Sequence, residues 1–435
     1  MKSLFAAALS LIILWHFAGS VKAEDLSPLT VSQAVEIAME KNPALRSART
    51  EVAANVYREE AAFLGFLPRF ETGYDYAHYR NTPTFAVSGQ QIPAGAQDQY
   101  AFFLGLRQPL FAGGSIYYNY KLAGLGVDVA KVSYAQAGLN LVLDVKTAYY
   151  NILRAQKKKT EGDQSVERLT AHLNDAKDFF SVGLIAKNEV LQSEVQLAQA
   201  RQEAVRAGQA LKMAVSQLNV LLQRGINEPL TLAEGLEYEP YPVTFDAAVK
   251  TAFEQRPEIK ESRLAIEKSQ KSVQLAEADY YPSVNLSLRY TREADSPDLK
   301  ENPYGLTENT VALTSLTWTF WEWGKTKKLA DESRTRVDQA RYALQQVTDS
   351  VSLEVRQALL DLEEAEKNIG VAGVAVTQAE ENYRIVTERY NVQMATSTDV
   401  LDAETLLTQA DTNHSDALAQ YNISKARVKR AMGEH

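Results

Sequence analysis

The chain has 435 residues, a formal net charge of −9 and no cysteine. A negative balance argues against nucleic acid as a partner, because phosphate backbones call for a basic face. Without cysteine there are no disulfides and no lipid-bearing N-terminal cysteine, a pattern that fits an exported bacterial envelope protein.

In chain order, residues 1–23 read as a signal peptide. Lys2 precedes an apolar run from Leu4 to Phe17, and Val21-Lys22-Ala23 suits cleavage before Glu24. The competing reading is an uncleaved anchor, but the run is short of the ~20 residues that a spanning helix needs. Losing Lys2 and Lys22 takes the charge from −9 to −9 − 2 = −11. No later run of eighteen apolar residues remains, so a membrane crossing by the mature chain would have to use strands.

A helix is expected from about Val31 to Leu64, closed by Pro68. Arg69 to Tyr79 then alternates, with Phe70, Tyr74 and Tyr76 on one side and Arg69, Glu71 and Asp75 on the other. That period of two marks a strand with one apolar and one polar face. A loop with turn formers (Pro83, Gly89, Pro93, Gly95) leads to a second strand, about Gln99 to Leu110, ended by Gly113-Gly114. Proline-free helical sequence follows from about Ser115 to Phe180, and a return helix from about Asn188 to Gln223.

The same order then recurs. A helix is expected from Phe245 to Ala278, strands at Ser283–Thr291 and Asn309–Phe320, a long helix at Lys325–Tyr390 and a return helix at Thr398–Met432. Asn42-Pro43 and Leu67-Pro68 face Arg256-Pro257 and Tyr281-Pro282 at an offset of 214, while Gly114 and Val182 face Gly324 and Val392 at 210. A repeat of this length is no short-period solenoid. It divides the mature chain into two copies of one unit, residues 24–235 and 236–435.

The second long helix carries a heptad seam: Val351, Val355, Ala358, Leu362, Ala365 and Ile369 begin it, and Tyr383, Val386 and Tyr390 end it. Apolar residues spaced by alternating fours and threes make a coiled coil. The return helix continues it through Val400, Ala403, Leu407, Ala410, Ala417 and Tyr421, interrupted by His414. Each half thus holds a long antiparallel helical hairpin, roughly 100 Å from end to end at ~1.5 Å per residue. Ten-residue strands with aromatics fit a membrane barrel. Four strands cannot close one, and open edges in lipid leave backbone groups unpaired. Either the strands lie in water as hairpins, or two or three chains share a barrel of eight or twelve strands.

Four segments carry a family resemblance: the two-fold repeat, QPLFAGG at Gln108–Gly114, VGLIAKNEVLQS at Val182–Ser193 and TDVLDAETLL at Thr398–Leu407. Together they resemble the TolC family of outer-membrane efflux channels over essentially the whole mature chain. The resemblance implies a mainly α fold with a small β part, and a homotrimer sharing one twelve-stranded outer-membrane barrel continued by a periplasmic coiled-coil tunnel. It implies a passive exit duct for efflux or type I secretion, set in outer-membrane lipid. Its partners would be a periplasmic adaptor and an inner-membrane pump of RND or ABC type. A soluble periplasmic coiled-coil adaptor is the competing class; it would not need paired strands with a lipid-suited face.

The resemblance also assigns residues. Asp399 and Asp402, three apart on one helical face, would form an acidic ring at the periplasmic mouth, expected to favour cations and to have raised, coupled pKa values. Tyr390 and Glu189 would help hold the mouth shut. The family's arginine in this constellation falls at Ala395, with Lys187 as a local substitute. The tips Val182-Gly183-Leu184 and Val392-Gln393-Met394 would contact the adaptor; ordinary turn chemistry also explains Gly183. The polar stripe through Gln409, Asn413, Asp416 and Gln420, with Gln192, Gln196, Gln199 and Glu203 on the first hairpin, suits either a water-filled bore or an outer solvated face. Trp318, Trp321 and Trp323 suit a membrane-interface belt or packing between helix and sheet. The five histidines have no ligand spacing, so no metal is expected. Nothing resembles a phosphate loop or nucleophile elbow, so neither cofactor nor enzymatic activity is expected.

Overall fold

The computed structural model describes residues 28–435, and the expected signal peptide lies outside them. Eight α-helices and six strands follow in chain order among these residues. They are α1 (Val31–Lys41), α2 (Pro43–Phe63), β1 (Arg69–His78), β2 (Thr84–Val87), β3 (Gln90–Pro93), β4 (Asp98–Ala112), α3 (Ser115–Ser181) and α4 (Lys187–Leu222). The second half gives α5 (Phe245–Gln255), α6 (Pro257–Glu277), β5 (Ser283–Ala294), β6 (Glu308–Thr317), α7 (Lys325–Asn391) and α8 (Ser397–Met432). The described residues form two compact units, each drawing on both halves of the sequence. One comprises residues 28–40, 145–239 and 366–423; the other comprises 41–144, 240–365 and 424–435.

The helix expected over Val31–Leu64 is two helices, and so is its counterpart over Phe245–Ala278. Proline is the cause in both. Asn42 sits at φ −62°, ψ 127° and Arg256 at φ −56°, ψ 125°, because the ring of a following proline drives the preceding residue out of the helical region. Pro43 and Pro257 then begin the next helix at its first turn, where a missing N–H costs nothing. The two junctions share backbone and differ in chemistry. Asn42 caps α2 by accepting from the Ala44 N–H at 2.9 Å. Arg256, 3% exposed, grips Glu258 through two bonds of 2.9 Å and reaches Glu354 at 2.8 Å and the Ala431 carbonyl at 3.1 Å. Burial pushes Glu354 up, but Arg256 and Arg430 outweigh it and hold the carboxyl below its usual range.

The main sheet is antiparallel, ordered β1-β4-β5-β6, with β1 and β6 as its edges. Arg69 pairs with Arg107 and His78 with Asp98; Gly105 pairs with Arg289, and Arg292 with Glu308. The register slips between Pro109 and Phe111, where proline cannot donate to the ladder. The loop expected between the first two strands holds its own hairpin, β2–β3. Ser88 and Gly89 both have positive φ, 51° and 83°, the backbone a two-residue hairpin turn requires. The last strand ends at Thr317, three residues before the expected Phe320. Trp321 and Trp323, 66% and 89% exposed, are not packed between helix and sheet in this chain. Trp318 donates its indole N–H to the Tyr280 carbonyl at 3.2 Å.

The heptad seam is the core it was expected to be. Val351, Val355, Ala358, Leu362 and Ala365 are buried in α7, as are Val400, Ala403, Leu407 and Ala410 in α8. In the first hairpin Leu169, Leu173 and Ala176 pack with Val190 and Leu197, and Leu401 of α8 joins them. Each large aliphatic side chain so buried contributes about 1.5–3 kcal/mol. Tyr149, fully buried, anchors the unit's irregular segments by donating to the Leu29 carbonyl at 2.8 Å and accepting from the Glu234 N–H at 3.3 Å.

Candidate functional site: the hairpin tips and the cluster behind them

Both hairpins turn by the same device. Leu184 N–H reaches the Phe179 carbonyl at 2.9 Å while Gly183 N–H reaches Phe180 at 3.0 Å. Met394 N–H reaches Arg389 at 2.7 Å while Gln393 N–H reaches Tyr390 at 2.9 Å. These crossed bonds satisfy the last carbonyls of a helix and place the residue after it in the left-handed region. Gly183 sits there at φ 79° and Gln393 at φ 60°. Glycine takes that backbone freely; a side chain at Gln393 carries a cost of about 1 kcal/mol. Between 57% and 68% of the surface of Val182, Leu184, Val392 and Met394 is exposed. Each tip thus presents two apolar side chains on a rigid turn.

Behind the tips α3, α4, α7 and α8 enclose a polar cluster. His172 Nε2 lies 2.8 Å from the Ser397 hydroxyl, which lies 3.1 Å from the Ser193 hydroxyl. All three residues are buried. Burial pulls the His172 pKa from 6.5 down to about 4, so the imidazole is neutral at ordinary pH. Tyr390, 1% exposed, packs its ring 4.9 Å from that of His172 and 5.4 Å from that of Phe179. Its hydroxyl makes no hydrogen bond of ordinary geometry, although the Ser397 hydroxyl lies close enough to favour ionisation slightly. Burial dominates, and with the charges of Glu189 and Asp175 it raises the phenol to about 12. One turn further along α3, Arg168 donates to Glu404 at 3.1 Å and to Thr408 at 2.9 Å. Glu404 is 3% exposed. His172, Ser193, Ser397, Arg168 and Glu404 were not singled out from the sequence. The available signal was a histidine and an arginine four apart on an otherwise ordinary helix.

Glu189 is half-buried and accepts from the Ser397 N–H at 3.5 Å. The structure therefore brings Glu189 and Tyr390 to the same serine. Asp399 and Asp402 are exposed on the first turns of α8. Asp399 accepts from the N–H and the hydroxyl of Thr396, both at 2.8 Å, and Thr396 accepts from the Asp399 N–H at 3.2 Å. This reciprocal arrangement is a capping box. Within the single chain it holds the Asp399 carboxyl below its usual range, through the Thr396 N–H first, then the Thr396 hydroxyl, with Arg389 adding to it. At Asp399 the single chain thus shifts the carboxyl opposite to the raised value expected of a carboxylate ring. Arg389, rather than Lys187, is the cation near this group, and it also donates to the Met394 carbonyl at 3.1 Å. Lys187 makes no ion pair among the described residues.

The polar stripe of the first hairpin is partly occupied by α8. Gln192 accepts from the Thr398 hydroxyl at 3.3 Å, and Gln196 donates to the Thr405 hydroxyl at 3.4 Å. Asp416 is held by Lys158 at 2.8 Å. Gln409 donates to Asn413 at 2.8 Å along the exposed face.

The profile of outer membrane efflux proteins matches residues 34–223 and 248–434. The chain is 24% identical over 408 residues to the outer membrane protein TolC of Escherichia coli, a match covering 90% of this chain and 80% of that one. It is 21% identical over 420 residues to the alkaline protease secretion protein AprF of Pseudomonas aeruginosa, covering 93% and 85%. The fold superposes on the Campylobacter jejuni CmeC outer membrane channel with a TM-score of 0.80, 17% identity and coverage of 93% and 85%. Mainly α with a small β part, the chain has the fold of TolC-like outer-membrane channels and belongs to the outer membrane efflux protein family.

Proposed function

We propose that three copies of this outer-membrane efflux protein close one twelve-stranded barrel and form a passive exit duct. The carrying observation is the unclosed sheet. β1 and β6 are free edges, Tyr74, Tyr76, Leu104 and Leu316 on the apolar face are at least half exposed, and the other face carries most of the sheet's charged side chains. An edge in lipid costs several kcal/mol for each unpaired group, so the sheet needs neighbours of its own kind, and three sets of four strands give a closed barrel of ordinary size. Residues 24–235 and 236–435 act as two copies of one unit, since helices and paired strands recur in the same order.

The apolar tips Val182, Gly183, Leu184, Val392, Gln393 and Met394 dock a periplasmic adaptor, which links the duct to an inner-membrane pump of RND or ABC type. Asp399, Asp402, Tyr390 and Glu189 form the gate. Docking opens it only if the adaptor binds the loosened tips more tightly than the closed ones. The duct performs no chemistry of its own. Mass determination in detergent, followed by conductance in a planar bilayer, tests this reading. A three-chain particle that opens pores is expected; a soluble monomer without detergent would reject it in favour of a periplasmic adaptor.

A further inference from the structure

The face of the sheet that carries most of its charged side chains, with Phe103, Val311 and Leu313 among them, is banded by charge. Residues opposite one another on antiparallel strands share a face. Arg69 pairs with Arg107, and Arg107 with Ser287; Arg289 pairs with Gly105 two positions along. All three arginines therefore lie on the face that carries Glu71, at the end of the sheet where β1 begins. Asp75 and Glu293, both opposite Ala101, lie on the same face toward the other end. Arg69, Arg107 and Arg289 are exposed, and none of their side chains has an ion pair or hydrogen bond among the described residues. Like charges directly opposite destabilise a sheet, so Arg69 facing Arg107 is a cost that the fold itself does not require.

Arg289 is also held in place. Its guanidinium carbon lies 3.9 Å from the centre of the Phe103 ring. That ring covers Gly73, where an added Cβ would come within 2.4 Å of it. Glycine at 73 thus makes room for the ring, and the ring supports the guanidinium by a cation–π contact.

We propose that Arg69, Arg107 and Arg289 form an anion-attracting girdle on the lumen side of the barrel, with the Arg289–Phe103 pair as a platform for carboxylate- or phosphate-bearing solutes. This rests on the barrel reading above, which turns the polar face inward. Fixed charge on a low-dielectric wall concentrates counter-ions and raises their entry rate. In the assembly each girdle is repeated, and it makes the duct favour anionic cargo at a point separate from the acidic residues of α8.

The test is the reversal potential of the full protein in a bilayer of neutral phosphatidylcholine, so that no lipid headgroup supplies net charge. Potassium chloride and potassium gluconate gradients are compared. With Arg69→Gln, Arg107→Gln and Arg289→Gln combined, the reversal potential is expected to move toward cation selectivity, and gluconate permeability to fall severalfold while pores still form. An unchanged reversal potential in conducting pores overturns the girdle and leaves the channel reading intact. Absence of pores from the wild-type protein overturns both. If the triple variant does not assemble, Arg289→Gln alone gives the same reading, since that side chain has no hydrogen bond to lose.

Discussion

His172 and Ser397, 225 residues apart, meet at 2.8 Å inside the helical unit and tie α3 to the first turn of α8. The bond joins the two halves of the repeat just behind the tips. Neutral imidazole is the form the site accepts, since burial takes its pKa to about 4 from 6.5. As pH falls the unfolded chain gains the proton first. The stability tied to neutral His172 is therefore whole above about pH 6.5 and is lost between there and about pH 4. The expected loss is on the order of 3 kcal/mol at the acid limit, from about 1.4 kcal/mol per pKa unit. Thermal melting across that range should show a falling midpoint, and His172→Gln should flatten the slope. An equal slope in the variant would show that the acid sensitivity lies elsewhere.

The two aspartates of α8 should separate in mutagenesis. Asp399→Ala removes a capping box and is expected to cost about 1 kcal/mol of local stability. Asp402→Ala leaves the cap intact. If the pair forms the proposed acidic ring, Asp402→Ala lowers cation preference in single-channel recordings with little change in melting temperature. The double variant should lose more selectivity than either single change. Selectivity unaltered in the double variant would remove both residues from the gate.

At the tips, Gly183→Ala should destabilise by about 1 kcal/mol, because the left-handed backbone penalises a side chain. Space is not the issue: a Cβ at Gly183 would meet no atom within 4 Å. Gln393→Gly should stabilise by a similar or smaller amount. Chemical denaturation of the purified protein measures both. Leu184→Asp and Met394→Asp leave the turns intact and should abolish cross-linking to the proposed periplasmic adaptor; retained cross-linking would remove the tips from the proposed docking surface.

Glu404, buried, and Arg168, partly exposed, form an ion pair whose members are expected to fail singly. Glu404→Gln or Arg168→Met leaves the other member without its ionic partner and should cost about 1–3 kcal/mol. The double change Arg168→Met with Glu404→Leu should recover much of that. A double-mutant cycle on melting temperature gives the coupling, and additive effects would show that the pair contributes little.

The local rules were legible in the chain. Alternation at Arg69–Tyr79 and Ser283–Thr291 marked the strands, and fours and threes from Val351 to Tyr390 marked the seam, because both periods follow from backbone geometry alone. Two local signals were read too loosely. Asn42-Pro43 and Arg256-Pro257 break helices that polarity alone would run on, and Ser88-Gly89 makes a hairpin inside what reads as loop.

The sequence by itself determined the two-fold order of parts, the seam and the tips, since these depend on neighbours within a turn or two. Only the tertiary structure decided which side chains meet across helices. The contacts His172–Ser397, Arg168–Glu404 and Gln192–Thr398 depend on the rotation and axial offset of one helix against another, and no local period fixes those. The same holds where the repeat diverges. Asn42 and Arg256 occupy equivalent backbone, yet one caps a helix and the other is the buried centre of an ion network, because only the second finds Glu354 and the Ala431 carbonyl packed against it.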